Sequence, residues 1–242
     1  MCSDKPYGTA ELMIALLAHE VSGLAHVVAG ALSPVPAAAA LLAQAMGPTR
    51  ASILGSRHFN PFSEGGRELF DCAAEGRIDA FFLSGGQIDG DANINLLAIG
   101  ERSHPAVRFP GSFGSAYLYF LVPKVVLFRE EHSRRSLVAR VDFVSAPGRS
   151  PQNVYRMGGP KALVTSLARF SFESRFRLES IHPGHDLAEI RAATGFEFDH
   201  APAPAETVPP SEEELSLIRG RVREEVAETY PRFAASLAVA PA

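Results

Sequence analysis

Residues 79–114 read DAFFLSGGQIDGDANINLLAIGERSHPAVRFPGSFG, a buried strand followed by two glycine loops. Asp79 to Leu83 is a short apolar run that stops at Ser84-Gly85-Gly86, the pattern of a strand feeding a tight loop. That loop carries Gln87, Asp89, Asn93 and Asn95. A second apolar run, Leu96 to Ile99, stops at Gly100, and a second glycine loop follows at Pro110-Gly111-Ser112-Phe113-Gly114-Ser115. The two loops bracket one pocket-forming segment.

Working back toward the N-terminus, Glu64 to Ala74 reads as a helix behind Ser63, with an acid in its first turn where the dipole favours it. Arg50 to Leu54 reads as a strand. Ser33 precedes a helix whose prolines fall at its entry, and Gly47 is placed to end it. Val27 and Val28 mark a short strand, and Thr9 to Val21 a helix with Thr9 as its candidate cap. Strand, helix, strand, helix, strand is the order that builds a parallel sheet with helices on its faces. The expected fold class is α/β, an open, mostly parallel sheet flanked by helices.

Toward the C-terminus, Val125 to Phe128 is continuously apolar, while Leu137 to Val144 and Ser174 to Ile181 alternate, as strands buried on one side do. Asp186 is placed to cap a helix with Glu189 in the capping-box position and Gly195 at its end. Residues 201–210 contain four prolines and read as a linker. Beyond them Ser211 and Glu214 form a second capping box, and Leu215, Ile218, Val222 and Val226 recur at helical spacing, on the body or on a partner. The expected organisation is one domain over 1–200, the linker at 201–210, and a terminal amphipathic helix with its tail at 211–242.

The chain has 242 residues, 46% of them hydrophobic, which is ordinary for a globular protein. A net charge of −4 gives no electrostatic footprint for nucleic acid. Cys2 and Cys72 are too few for a disulfide framework, which points to a reducing, cytoplasmic compartment. Leu12 to Ala18, the most apolar N-terminal run, falls well short of the ~20 residues that span a bilayer, so no membrane is expected as a partner. G-x-G-x-x-G, the Walker loop and G-x-S-x-G do not occur. His182-Pro183-Gly184-His185 lacks a third ligand at sensible spacing, so no metal site is expected.

Four segments carry a specific likeness in their order: Gly85-Gly86-Gln87-Ile88-Asp89 with Asn93 and Asn95; Arg108-Phe109-Pro110-Gly111-Ser112-Phe113-Gly114; Arg140-Val141-Asp142-Phe143-Val144; and His182-Pro183-Gly184 with Thr194-Gly195-Phe196. Together they resemble the beta subunit of family I CoA-transferases, the group that includes glutaconate CoA-transferase. The matching family patterns are Gly-Ala-x-Gln-Val-Asp-x-x-Gly-Asn-x-Asn, from which Ala92 departs, Arg-Leu-Pro-Gly-Ser-Gly-Gly, and a Val-Asp-Phe-Val strand. The resemblance implies a heteromer with an alpha-type subunit, acyl-CoA as substrate, coenzyme A as a substrate moiety, and no permanently bound cofactor.

In the resembled family a glutamate of this subunit attacks the thioester, splitting a hard transfer into easier steps. It follows the strand that corresponds to Arg50 to Leu54. Here that place reads Gly55-Ser56-Arg57-His58, without a carboxylate; Glu64 is the nearest, beyond Asn60-Pro61. Either the carboxylate lies on the companion subunit, or the chain resembles the CoA-transferase-like heteromers that hydrolyse a CoA-bound ring, such as the steroid-ring hydrolase. A non-catalytic, scaffolding subunit is the rival class. His58 is a candidate general base or an exposed loop histidine.

By the same resemblance Gly111 and Gly114 supply N–H donors to an oxyanion, since a glycine lets backbone come close. Without it they are plain turn residues. Phe113 stands where the family has glycine, which implies a different or bulkier acyl group beside Ser112. Gln87 is expected at the thioester, and Gly85, Gly86, Asp89, Asn93 and Asn95 near the pantetheine or acyl moiety, against an Asx-turn that satisfies local backbone. Arg134 and Arg135, beside His132, suit the phosphates of CoA or a solvated strand end.

Overall fold

The computed structural model describes residues 6–237, so Cys2 and the end of the expected tail lie outside the described residues. Helix α1 (Thr9–Val21) starts one residue earlier than a Thr9 cap would place it: Gly8 is the N-cap, and its N–H is taken by Glu11 Oε2 at 2.8 Å. Leu12 to Ala18 are all buried, the signature of a helix with no solvent face. Strand β1 (His26–Ala29), helix α2 (Pro34–Met46) and strand β2 (Arg50–Ile53) then form a βαβ unit. The two strands run parallel, with His26 opposite Arg50 and Ala29 opposite Ile53. Alanines 37 to 40 of α2 are buried, and α2 packs against α1. Gly47 ends α2 in an extended conformation, not the left-handed one its place suggests.

Helix α3 (Gly66–Ala74) precedes β3 (Ala80–Leu83), every residue of which is buried. Two small antiparallel pairs follow, β4 (Gln87–Ile88) with β5 (Ile94–Asn95), and β6 (Ala98–Gly100) with β7 (Pro105–Arg108). Helix α4 (Ser115–Leu121) leads to β8 (Lys124–Arg129), and then come β9 (Pro160–Thr165), β10 (Ala168–Phe172), β11 (Phe176–Ile181), α5 (Leu187–Ala193) and β12 (Asp199–Glu206). The strand order here is β12-β11-β10-β9-β8-β3. Pairs β8–β9 and β11–β12 are parallel, whereas β9–β10–β11 is an antiparallel meander. The protein is thus α/β, with a mostly parallel eight-stranded sheet flanked by helices.

Two expectations in this half are corrected. Residues 199–206 are a strand, not part of a linker, because β12 is an edge: Pro202 and Pro204 fall in a register shift against β11, where no ladder N–H is needed. Leu137 to Val144 is not a strand, because its backbone is claimed elsewhere. Val138 N–H donates to the Ile88 carbonyl at 2.9 Å, Val141 N–H to Asp89 Oδ2 at 3.2 Å and Asp142 N–H to Gln87 Oε1 at 3.0 Å.

The chain closes with α6 (Glu212–Leu217), a π-helical turn at Ile218–Val222, α7 (Arg223–Ala227) and α8 (Pro231–Ser236). Ser211 and Glu214 make the expected capping box. Leu215, Ile218, Val222 and Val226 are buried, and this helical run packs on α2. At ~1.5–3 kcal/mol for each such side chain removed from water, that seam firmly docks the segment. Arg219 Nε pairs with Glu11 Oε1 at 2.6 Å, and His19 with Glu214. The chain divides into two compact units. One comprises the chain up to Ser63, Ile78–Ala80 and the chain from Val208 onward; the other comprises Glu64–Arg77 and Phe81–Thr207. No helix among the described residues is long and apolar enough to cross a membrane.

Candidate active site

The turn from Gly85 to Asn95 lies wholly in the second unit and is knotted by its own side chains. A Cβ on Gly85 would sit 3.0 Å from the Gln87 carbonyl oxygen and 3.1 Å from that of Asn95, and the Phe109 ring occupies the space a Cβ on Gly86 would need. Only glycine fits either position. Asp89 is buried and takes four donors: Oδ1 accepts from the N–H groups of Asp91 (3.1 Å) and Asn93 (3.0 Å), Oδ2 from Asn93 Nδ2 and Val141 N–H, both at 3.2 Å. Asn93 Oδ1 accepts from Gly148 N–H at 3.1 Å.

Gln87, 5% exposed, is spanned between segments far apart in sequence. Its Oε1 accepts from Asn95 Nδ2 at 2.7 Å and from Asp142 N–H, while its Nε2 donates to Asp142 Oδ1 at 3.4 Å. Asn95 Nδ2 also donates to the Ala98 carbonyl at 2.6 Å, and its Oδ1 takes Leu97 N–H at 2.9 Å. Asp142 Oδ2 in turn accepts from Gly100 N–H at 2.7 Å. The amides and carboxylates of Gln87, Asp89, Asn93 and Asn95 are therefore engaged with the protein itself. Asp142 is the member of this network that the strand expectation concealed.

The second glycine loop is tied to the first. Tyr119 of α4 donates its hydroxyl to the Ala92 carbonyl at 2.9 Å, holding the tip where Ala92 takes a φ of 58°. Burial pushes the Tyr119 hydroxyl well above its ordinary range, so it stays a donor. In the loop itself Gly111 has a φ of 107° and Phe113 a φ of 43°. A left-handed phenylalanine costs about 1–2 kcal/mol, yet this ring is 78% exposed. The Phe70 ring of α3 covers Gly114 where a Cβ would go, and lies 5.4 Å from the Phe113 ring and 5.5 Å from Tyr117.

In the first unit the segment after β2 is closed by residues 172 positions away: buried Ser56 donates its hydroxyl to Glu228 Oε2 at 2.8 Å. Arg57 N–H donates to Glu228 Oε1 at 3.0 Å, and Ser56 Oγ accepts from the N–H groups of His58 (3.1 Å) and Phe59 (3.0 Å). The Thr229 hydroxyl, then Arg57 N–H and the Ser56 hydroxyl, hold the Glu228 carboxyl below its usual range. Tyr230 donates its hydroxyl to the Ala31 carbonyl at 2.8 Å and thereby pins the loop after β1. The terminal segment thus fastens both loops at the carboxyl ends of β1 and β2, the end where ligands bind in open α/β sheets. His58 is an exposed loop residue, and Glu64 is exposed in the second unit.

Arg135 is exposed and paired with Glu131 at 2.8 Å, and Arg134 donates Nε–H to the Ala192 carbonyl at 2.8 Å. The Arg135 guanidinium, with the Ser133 hydroxyl behind it, holds the Glu131 carboxyl down to about 2. His132 is buried between Thr165 Oγ1 (2.8 Å) and Thr194 Oγ1 (3.0 Å). An open cleft of about 390 Å³ lies among Gly90, Arg149, Arg175 and Phe196, its arginines paired with Asp91 and Asp199. Among the described residues no group of three His, Cys, Asp or Glu side chains could hold a metal ion.

A family model described as coenzyme A transferase matches residues 8–193. One subunit of the 3-oxoadipate CoA-transferase of Pseudomonas knackmussii is 31% identical over 153 residues, 60% of this chain and 58% of that protein. The cholesterol ring-cleaving hydrolase IpdB subunit of Rhodococcus jostii is 31% identical over 160 residues, 63% of this chain and 62% of its own length. The chain therefore spans about three fifths of the length of these curated relatives. Among solved structures, that of the decarboxylase AibA/AibB superposes with a TM-score of 0.73 at 26% identity, covering 95% of this chain and 98% of the other.

Proposed function

The chain belongs to the coenzyme A transferase family, and on that premise we propose that it is the beta-type half of a heteromeric enzyme acting on acyl-CoA thioesters, with an alpha-type subunit as companion. The observation that carries this is the continuous family match over residues 8–193, which takes in both glycine loops. The naming of its relatives as subunits, and of a solved neighbour as a pair, supports the heteromer. Coenzyme A enters as a substrate moiety, no cofactor is permanently bound, and the buried free thiol of Cys72 supports a cytoplasmic setting.

In this reading the thioester carbonyl meets the N–H groups of Gly111 and Gly114, donors aimed at the oxygen on which charge develops. Ser112 and Phe113 line the acyl side. Gln87, Asp89, Asn93 and Asn95 act by fixing the first loop against the 138–148 segment; Arg134 and Arg135 meet CoA phosphates at the surface. The attacking carboxylate belongs to the companion. After β2 the local sequence offers none, and the carboxylate that reaches Ser56, that of Glu228, is held by three donors that lower its nucleophilicity. That vacancy favours, as a second reading, hydrolysis of a CoA-bound ring in place of transfer.

The test is co-expression with the companion, turnover of an acyl-CoA panel, and trapping with hydroxylamine or borohydride read by mass spectrometry. We expect turnover with no glutamyl-CoA adduct on this chain. An adduct on Glu64 or Glu228 would place the nucleophile here, and failure to bind any thioester would sink the acyl-CoA reading itself.

A further inference from the structure

Two non-glycine residues among those described have a left-handed backbone, and they are held in opposite ways. Ala92 is buried, with its carbonyl bonded by Tyr119. Phe113 keeps its strained φ of 43° with its ring 78% exposed. The strain turns the ring back over α3: a Cβ on Gly66 would lie 2.9 Å from its tip. Phe70 lies 5.4 Å from it, tilted by 41°, and Tyr117, 46% exposed, meets Phe70 edge-on at 5.5 Å and 65°. Three rings thus cluster beside Gly111 and Gly114, two of them open to solvent.

We propose that Phe70, Phe113 and Tyr117 form an aromatic wall that receives the acyl portion of the thioester, and that it selects apolar, ring-bearing acyl groups over short or carboxylated ones. The inference rests on the Gly111–Gly114 loop being the one that meets the thioester carbonyl. From a carbonyl held there, the acyl chain leaves alongside the adjoining Phe113. Ring spacings near 5.5 Å lie within the ~4.5–7 Å range of offset and edge-on aromatic pairs, so a further ring joins the cluster. A carboxylated acyl group would have to shed water against ring faces, which is costly. A short acyl group would leave both open rings wet.

The experiment uses the heteromer with three probes: phenylacetyl-CoA, acetyl-CoA and succinyl-CoA, with affinities by calorimetry and kcat/KM where turnover is seen. Phenylacetyl-CoA is expected to bind at least ~10-fold more tightly than the other two, the scale set by burying one ring in an apolar site. Phe113→Gly, which suits the left-handed backbone and so should fold, is expected to bring that ratio below ~3-fold. Tyr117→Ala should lower the ratio without touching the strained position. Equal affinities in the parent, or a parallel loss for all three thioesters in both variants, would overturn the wall while leaving the acyl-CoA reading intact. Dissociation of the Phe113→Gly heteromer on gel filtration would assign the rings to the subunit interface and overturn it equally. If the parent binds none of the three, the acyl-CoA reading falls and the wall with it.

Discussion

Replacing Gln87 by alanine separates a residue that touches substrate from one that builds the loop. In the parent, Gln87 Oε1 accepts two hydrogen bonds, from Asn95 Nδ2 at 2.7 Å and from Asp142 N–H at 3.0 Å, in a site where Gln87 is 5% exposed. Truncation takes that acceptor from one N–H of the buried Asn95 amide, whose other N–H stays on the Ala98 carbonyl, at about 1–3 kcal/mol, while the N–H of exposed Asp142 turns to water. A net loss of about 2 kcal/mol follows, and at ~2–4 °C per kcal/mol for a chain of this size the melting temperature should fall by roughly 4–8 °C. Denaturant and thermal unfolding measure it. A double-mutant cycle with Asn95→Ala should return a coupling of about 1 kcal/mol, because the second change removes the orphaned donor. If Gln87→Ala melts within ~1 °C of the parent while kcat/KM falls, the amide serves the substrate and the structural account of it is wrong.

Two further outcomes are expected. Burial, with the charges of His182 and His185 added, pushes the His132 imidazole down to about 4, so the unfolded chain, with a value near ~6.5, takes up the proton first. Stability should therefore be complete above about pH 6.5 and fall by on the order of 3 kcal/mol as the pH drops to about 4. His132→Gln should flatten the dependence, and parallel pH curves for variant and parent would refute the assignment. Glu228→Ala removes the acceptor for Ser56 Oγ and Arg57 N–H, so amide exchange at Arg57 should rise at least ~10-fold while the β2 amides stay protected; unchanged exchange at Arg57 would show that the terminal segment does not hold this loop.

The first half of the fold was legible because each local signal agreed with its neighbours. Val27-Val28, the proline-entered alanine helix and the strand from Arg50 describe a βαβ unit in which propensity, period and punctuation coincide. The second half was less so, for a reason visible at residues 137–144. Period-two alternation reports which side chains face inward, but it is silent on where the backbone N–H groups go. Here those of Val141 and Asp142 go to the carboxylate of Asp89 and the amide of Gln87, about fifty residues upstream, so no ladder forms. The prolines at 202 and 204 misled in the opposite sense. They exclude a central strand, and residues 199–206 escape that rule only because β12 is an edge, a fact of tertiary order.

Legibility of the candidate site divides along the same line. Residue types and their order, from Gly85 through Asn95 and from Arg108 through Gly114, carried the family in the sequence alone, because glycines that bring backbone close and side chains that brace a turn sit at fixed local offsets. The partners did not show. Nothing near Ser56 announces a carboxylate, since Glu228 arrives from 172 residues away. What carries it there is the apolar seam of Leu215, Ile218, Val222 and Val226, which was plain as a helical face but gave no hint of its target. The docking of that seam on α2 bears on assembly: a chain that has buried its own terminal stripe has no need of a companion to cover it. A heteromer must then be held by some other surface.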